Sequence, residues 1–176
     1  MKEIVIGATG FIGSALLRNL GPTARGTARR QLDGCSALDL LRFVPNDIPV
    51  AEILYLCAGA NGAKACEGSQ DAFRMNVDAP IQIARIAAAR GHFMVFISSM
   101  SVEWLSTGYQ RQKLAAEGVL RTMDNVGVVR AGRVLAGNVD ELCAVMMSVG
   151  RTRTAGVIRW GNDDIAYDPR AASAPR

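Results

Sequence analysis

The chain has 176 residues, 49% hydrophobic and 20% charged, which suits one globular domain with a proper core. Its net charge of +4 comes from 17 Arg and 3 Lys scattered over the whole length, with no basic patch interleaved with aromatics, so no nucleic-acid face is expected. No run reaches the ~20 apolar residues of a membrane span, no secretory signal is visible, and four Cys with one His lack zinc-site spacing, so no metal is expected and free thiols in a reducing cytoplasm are.

Residues 3–6 read as a short buried strand running into Gly7-Ala8-Thr9-Gly10-Phe11-Ile12-Gly13. Apolar residues at 11, 12, 15, 16, 17 and 20 mark a helix over 11–20, ended by Gly21-Pro22. A weak strand is expected at 23–28 and a third at 37–40. Residues 53–58 and 93–97 are apolar throughout, as in strands covered on both faces. Helices are expected over 69–75, over 79–90 with Pro80 tolerated in its first turn, and over 109–123; a strand follows at 126–130. This alternation predicts a doubly wound parallel sheet, a Rossmann-type α/β fold, with right-handed crossovers. After Gly137 come an apolar helix at 139–149, a polar turn and a small strand at 157–160. The expected division is a Rossmann domain over 1–137 and a short extension over 138–176 acting as a reduced substrate lobe, its tail 169–176 disordered.

The glycine turn predicts a pyrophosphate site. Gly7 permits the tight exit from the strand, Gly10 lets the backbone approach phosphate, and Gly13 allows the helix to pack closely on the sheet. The helix offers free N–H groups and a positive dipole end. Gly7, Thr9, Gly10, Phe11, Ile12 and Gly13 are therefore the first expected cofactor-binding set. A glycine-rich turn without a ligand is the bland alternative. At the expected end of the second strand stand Arg29 and Arg30, with no acid nearer than Asp33. Arginines there favour the 2′-phosphate of NADP over the free ribose of NAD; two solvated surface arginines are the alternative.

Tyr109 and Lys113 lie four apart, on one helix face. A lysine cation beside a phenol lowers its pKa from ~10 and prepares it for proton transfer. Ser98 and Ser99 follow the strand 93–97, at the sheet edge where α/β proteins bind ligands.

Taken in order, GATGFIG at 7–13, ALDL at 37–40, LCAG at 56–59, ACEGSQDAFRMNVDAP at 65–80, VFISSMSV at 95–102, YQRQK at 109–113 and VVRAGRVLAG at 128–137 resemble the short-chain dehydrogenase/reductases, in particular their extended epimerase and dehydratase branch. The resemblance covers about three quarters of the chain. It implies that Asp39 and Leu40 border the adenine and that Cys57, Ala58 and Gly59 line the cofactor. Asn76 would support the lysine through water. Ser99 would be the catalytic serine, since Val102 stands three residues later, and Tyr109 the acid/base. Lys113 would hold the nicotinamide ribose, with Gly132 and Arg133 nearby. The implied activity is an NAD(P)-dependent oxidoreductase or epimerase acting at a hydroxyl or carbonyl carbon of a small molecule, with a sugar nucleotide as the family's analogy. Relatives dimerise through helices corresponding to 79–90 and 109–123, which makes a homodimer an expectation.

Two features depart from that pattern. Only residues 100–108 separate Ser99 from Tyr109, and Glu103 stands where many relatives carry an aromatic residue. Nine extended residues still reach roughly 30 Å, so the substrate roof is reduced and the catalytic geometry is not. After Gly137 only 39 residues remain, less than the family's usual substrate domain. The alternatives are a non-catalytic NADP(H) sensor or a structural subunit.

Overall fold

The computed structural model describes residues 2–161. Seven strands form one sheet in the order β3-β2-β1-β4-β5-β6-β7, every neighbouring pair parallel. They are β1 (Glu3–Ile6), β2 (Arg25–Ala28), β3 (Cys35–Ala37), β4 (Ile53–Leu56), β5 (Phe93–Ser99), β6 (Val126–Ala131) and β7 (Gly156–Trp160). The expected Rossmann-type architecture is therefore present.

Alternate strand residues feed two cores. Val5, Tyr55, Val95 and Val129 face helices α1 (Phe11–Leu20) and α6 (Val139–Thr152), which contribute Leu16, Leu142 and Met146. Ile4, Leu54, Phe96 and Val128 face α4 (Ala79–Ala89) and α5 (Gly108–Leu120), with Ile83 and Leu120. Apolar residues at every position of β4 follow from this two-sided burial. The sheet order reverses between β1 and β4, and a doubly wound fold opens its ligand crevice at such a point.

Several boundaries differ from the sequence reading. The third strand is Cys35–Ala37, not 37–40, because Leu38 and Leu40 leave the ladder to fill the α4 side of the core. The strand expected over 53–58 ends at Leu56 as the chain turns into the crevice. A short helix α2 (Ala63–Cys66) was not foreseen. The two helices expected over 69–75 and 79–90 form one run: α3 (Gln70–Phe73), a π-turn (Arg74–Asp78) and α4. Residues 139–160, assigned from sequence to a substrate lobe, place α6 in the α1 core and pair β7 with β6. The tail 169–176 lies outside the described residues.

Candidate active site

At the sheet's switch point lies a cleft of about 410 Å³. Its floor is the glycine turn: Gly10, Phe11 and Ile12 line it, and among the described residues no side chain caps the start of α1. The first N–H groups of that helix have no intrahelical partner, which suits an anion. Gly7 has φ +85° and leaves no room for a Cβ, which would lie 2.7 Å from the Ala58 nitrogen. A Cβ on Gly13 would lie 2.1 Å from the Gly7 oxygen. These two glycines thus set the turn's shape and Gly10 presents it to the cleft. Thr9 is exposed and outside the lining.

The loop after β4 forms the next wall, with Cys57, Ala58, Gly59, Ala60 and Asn61. Asn76 is wholly buried behind it in the π-turn. Its Oδ1 accepts from Ala60 N–H at 2.9 Å, and its amide donates to the Ala60 carbonyl at 3.0 Å and to Gln112 Oε1 at 2.8 Å. Gln112 in turn donates to the Cys66 carbonyl at 2.9 Å. The amide pair therefore clamps the cleft loop to α5. Asn76 was expected to support the lysine through water; its direct bonds go to Ala60, Gln112 and, at 3.6 Å, the Cys66 sulfur. Gln112 itself escaped the sequence reading, because a polar helix residue gives no sign of a partner on another element.

The opposite wall combines Ile97, Ser98 and Ser99 from β5, Tyr109 and Lys113 from α5, Ala131 at the end of β6, and Gly132 and Val134 beyond it. Thr107 caps α5 by accepting from the Gln110 N–H, which fixes where the tyrosine–lysine face begins. Ser99 caps the next turn, accepting from the Ser101 N–H at 3.2 Å. Among the described residues Ser98 Oγ is buried without a partner at the cleft, an orphan that a bound ligand could satisfy. Arg133 is exposed and outside the lining, although Gly132 is inside it. A second groove of about 490 Å³, between residues 66–73 and α5, touches neither Tyr109 nor Lys113.

At the far end, Arg29 and Arg30 are exposed after β2. The sequence showed no acid there, yet Asp39, just past β3, comes within 3.8 Å of the Arg29 guanidinium and accepts from Leu41 N–H. Leu40 is a core residue on the α4 side.

The electrostatics reverse one expectation. Burial pushes the Tyr109 phenol up to about 12, with Cys66 adding to the shift. Lys113 does not offset this; its Nζ stands over the phenol ring, 6.0 Å from the centroid. The ammonium donates instead to the Ile97 carbonyl at 3.0 Å and sits 4.5 Å above the Phe96 ring. Its own burial lowers its pKa from the usual 10.5 to about 8, against opposing pulls from Cys57, Glu117 and Cys66.

Lys113→Met is therefore expected to stabilise the fold. Holding the buried ammonium costs about 3 kcal/mol at neutral pH, and losing its hydrogen bond returns about 1 kcal/mol of that. The net gain of about 2 kcal/mol should raise Tm by roughly 5 °C. Between pH 8 and 10.5 the unfolded lysine holds its proton while the folded one releases it. Wild-type stability thus gains with pH in that window relative to the variant, and the difference shrinks. Urea melts at pH 7.5 and 9.5 check this; a constant difference would remove the buried charge from the account.

The family model described as NAD dependent epimerase/dehydratase family matches residues 4–134. A search of curated proteins gives no match. Among solved structures, a hypothetical dTDP-4-dehydrorhamnose reductase from Sulfolobus tokodaii superposes with TM-score 0.77 at 17% identity, over 93% of this chain and 77% of that one. The dTDP-4-dehydrorhamnose reductase of Yersinia enterocolitica gives 0.73 at 20% identity, over 90% and 74%. That of Bacillus anthracis, solved in complex with NADP, gives 0.72 at 15% identity, over 92% and 74%. At these identities the structural likeness concerns the fold.

Proposed function

The chain belongs to the NAD-dependent epimerase/dehydratase family, and from that premise we propose an NADP-preferring reductase or epimerase acting on a carbonyl or hydroxyl carbon of a sugar nucleotide. The observation that carries the reading is convergence: Ser99, Tyr109 and Lys113 share one cleft with the Gly10–Ile12 turn. The sugar-nucleotide class is suggested by the dTDP-4-dehydrorhamnose reductases among the structural neighbours.

The cleft fits a dinucleotide. An uncapped helix start suits the pyrophosphate, and the orphaned Ser98 hydroxyl marks a polar contact left for a ligand. A bound nicotinamide would supply hydride exchange at the substrate carbon. Gly10, Phe11 and Ile12 would hold the phosphates, Cys57 to Gly59 and Gly132 the body of the cofactor, and Arg29 with Arg30 the 2′-phosphate. Asp39 neutralises part of the Arg29 charge, and Arg30 keeps the end of β2 net positive. Asn76 and Gln112 keep the wall in place. Ser99 donates a hydrogen bond to the substrate oxygen, Tyr109 gives or takes the proton at that oxygen, and Lys113 supplies positive charge behind both.

The test combines binding with turnover. NADPH should bind at least tenfold tighter than NADH, and Arg29→Ala with Arg30→Ala should erase that difference while leaving NADH affinity within twofold. A panel of dTDP-linked 4-keto sugars and simple dicarbonyls, followed at 340 nm, should give turnover. Tight NADPH binding with no turnover across the panel would instead favour the non-catalytic sensor.

Among the described residues no helix is long and apolar enough to cross a membrane, and the four cysteines are free thiols. We place the enzyme in the cytoplasm, as a homodimer through α4 and α5. Sedimentation as a monomer at micromolar concentration would exclude the dimer.

A further inference from the structure

A serine hydroxyl has one proton to donate and two lone pairs to accept with. The Ser99 Oγ receives the Ser101 N–H at 3.2 Å and lies 2.8 Å from the Ser101 Oγ. By distance alone, either hydroxyl could donate to the other. Their surroundings differ, however. Ser99 opens onto the cleft, whereas among the described residues Ser101 Oγ makes no hydrogen bond except to Ser99. If Ser101 donates, its amide and hydroxyl fill both lone pairs of Ser99 Oγ. The one free valence left on Ser99 is then its own O–H, directed away from both donors.

We propose that Ser101 is a positioning residue that makes Ser99 an obligate donor into the cleft, toward a carbonyl oxygen or a developing alkoxide of the substrate. The proposal rests on Ser99 being the serine that meets that oxygen. It gives the Ser99-Met100-Ser101 spacing a chemical purpose: Met100 is buried in the core, while the residues on either side of it join over one short turn. Hydrogen bonds in series polarise one another, so the Ser101 donor also strengthens the bond Ser99 gives as negative charge builds on the substrate oxygen. Ser98 supplies the contrast. Its Oγ is buried at the same cleft with no partner among the described residues, so none of them fixes which way its proton points.

Neutron diffraction from deuterium-exchanged wild-type protein reads the arrangement directly. The expected result is a deuteron on Ser101 Oγ aimed at Ser99 Oγ, with the Ser99 deuteron aimed into the cleft. A Ser99 deuteron aimed at Ser101 would overturn the proposal. In Ser101→Ala the Ser99 deuteron should lose its single orientation, and Ser101→Thr should restore it, with Tm unchanged in both. On a panel substrate, Ser101→Ala should lose about tenfold in kcat at a KM within twofold, and Ser101→Thr should recover it. Wild-type kcat in Ser101→Ala would equally sink the idea. The neutron result is read in the resting protein, so it stands or falls separately from the turnover that tests the function itself.

Discussion

Tyr109→Phe is expected to lower kcat about 10³-fold on any substrate the wild type turns over, with NADPH affinity kept within threefold. The substitution removes one oxygen and leaves the ring, which lines the cleft beside Lys113. General acid–base catalysis by a positioned side chain contributes 10²–10⁴-fold, and the middle of that range is the loss anticipated here. The pH dependence separates proton transfer from packing. With the phenol held up to about 12, Tyr109 is a neutral acid throughout the physiological range. Reduction uses that form, so the phenol imposes no falling limb on reductive kcat/KM below pH 10. Oxidation needs the phenolate, so oxidative kcat/KM should climb with pH across 7–9. The variant should lose this climb. Full turnover in Tyr109→Phe, or an oxidative profile flat in the wild type, would remove Tyr109 from the proton path.

The same residue shows how far the sequence carries. The i, i+4 spacing placed Tyr109 and Lys113 on one face of α5, because helical period is a local property. The sign of the tyrosine shift is not local. It depends on how deeply α5 sinks against β5 and on the lysine finding the Ile97 carbonyl and the Phe96 ring, two partners on that strand. The glycine turn and α1 were legible to the residue, since Gly10 and Gly21 bracket an unbroken apolar stripe. The third strand was misplaced because leucines at 38 and 40 alternate like a strand while serving as core plugs. The π-turn carrying Asn76 left no trace, because one extra residue in a helix barely disturbs its periodicity. Asp39 meeting Arg29 needed the β2–β3 pairing to be known first.

Glu117→Ala should lower the unfolding free energy by about 3–5 kcal/mol, the cost of stranding one half of a buried ion pair. Glu117 follows Lys113 by one helical turn on α5, and its side chain is 1% exposed. It meets Arg130 of β6, 13% exposed, through Nε–Oε contacts of 3.1 and 2.9 Å and an Nη2–Oε2 contact of 2.6 Å. Arg130 also reaches Glu103 at 3.2 Å, and Glu103 pairs with Arg159 of β7. The chain of charges ties the turn after Ser99 to the helix of Tyr109 and to the last strand. A fork of this kind joins the short connection between serine and tyrosine to three elements, α5, β6 and β7. Only its inner pair is dry, so Glu103→Ala, at the exposed end, should cost under about 1 kcal/mol. Glu117→Leu combined with Arg130→Met should regain most of the loss, since two apolar side chains of similar volume leave no charge unpaired. Urea melts of the two single variants and the double variant measure the whole set. At 2–4 °C per kcal/mol, Glu117→Ala should also melt roughly 10 °C lower. A loss below about 1 kcal/mol would mean that water reaches the pair, and the rigidity of the serine turn would then need another source.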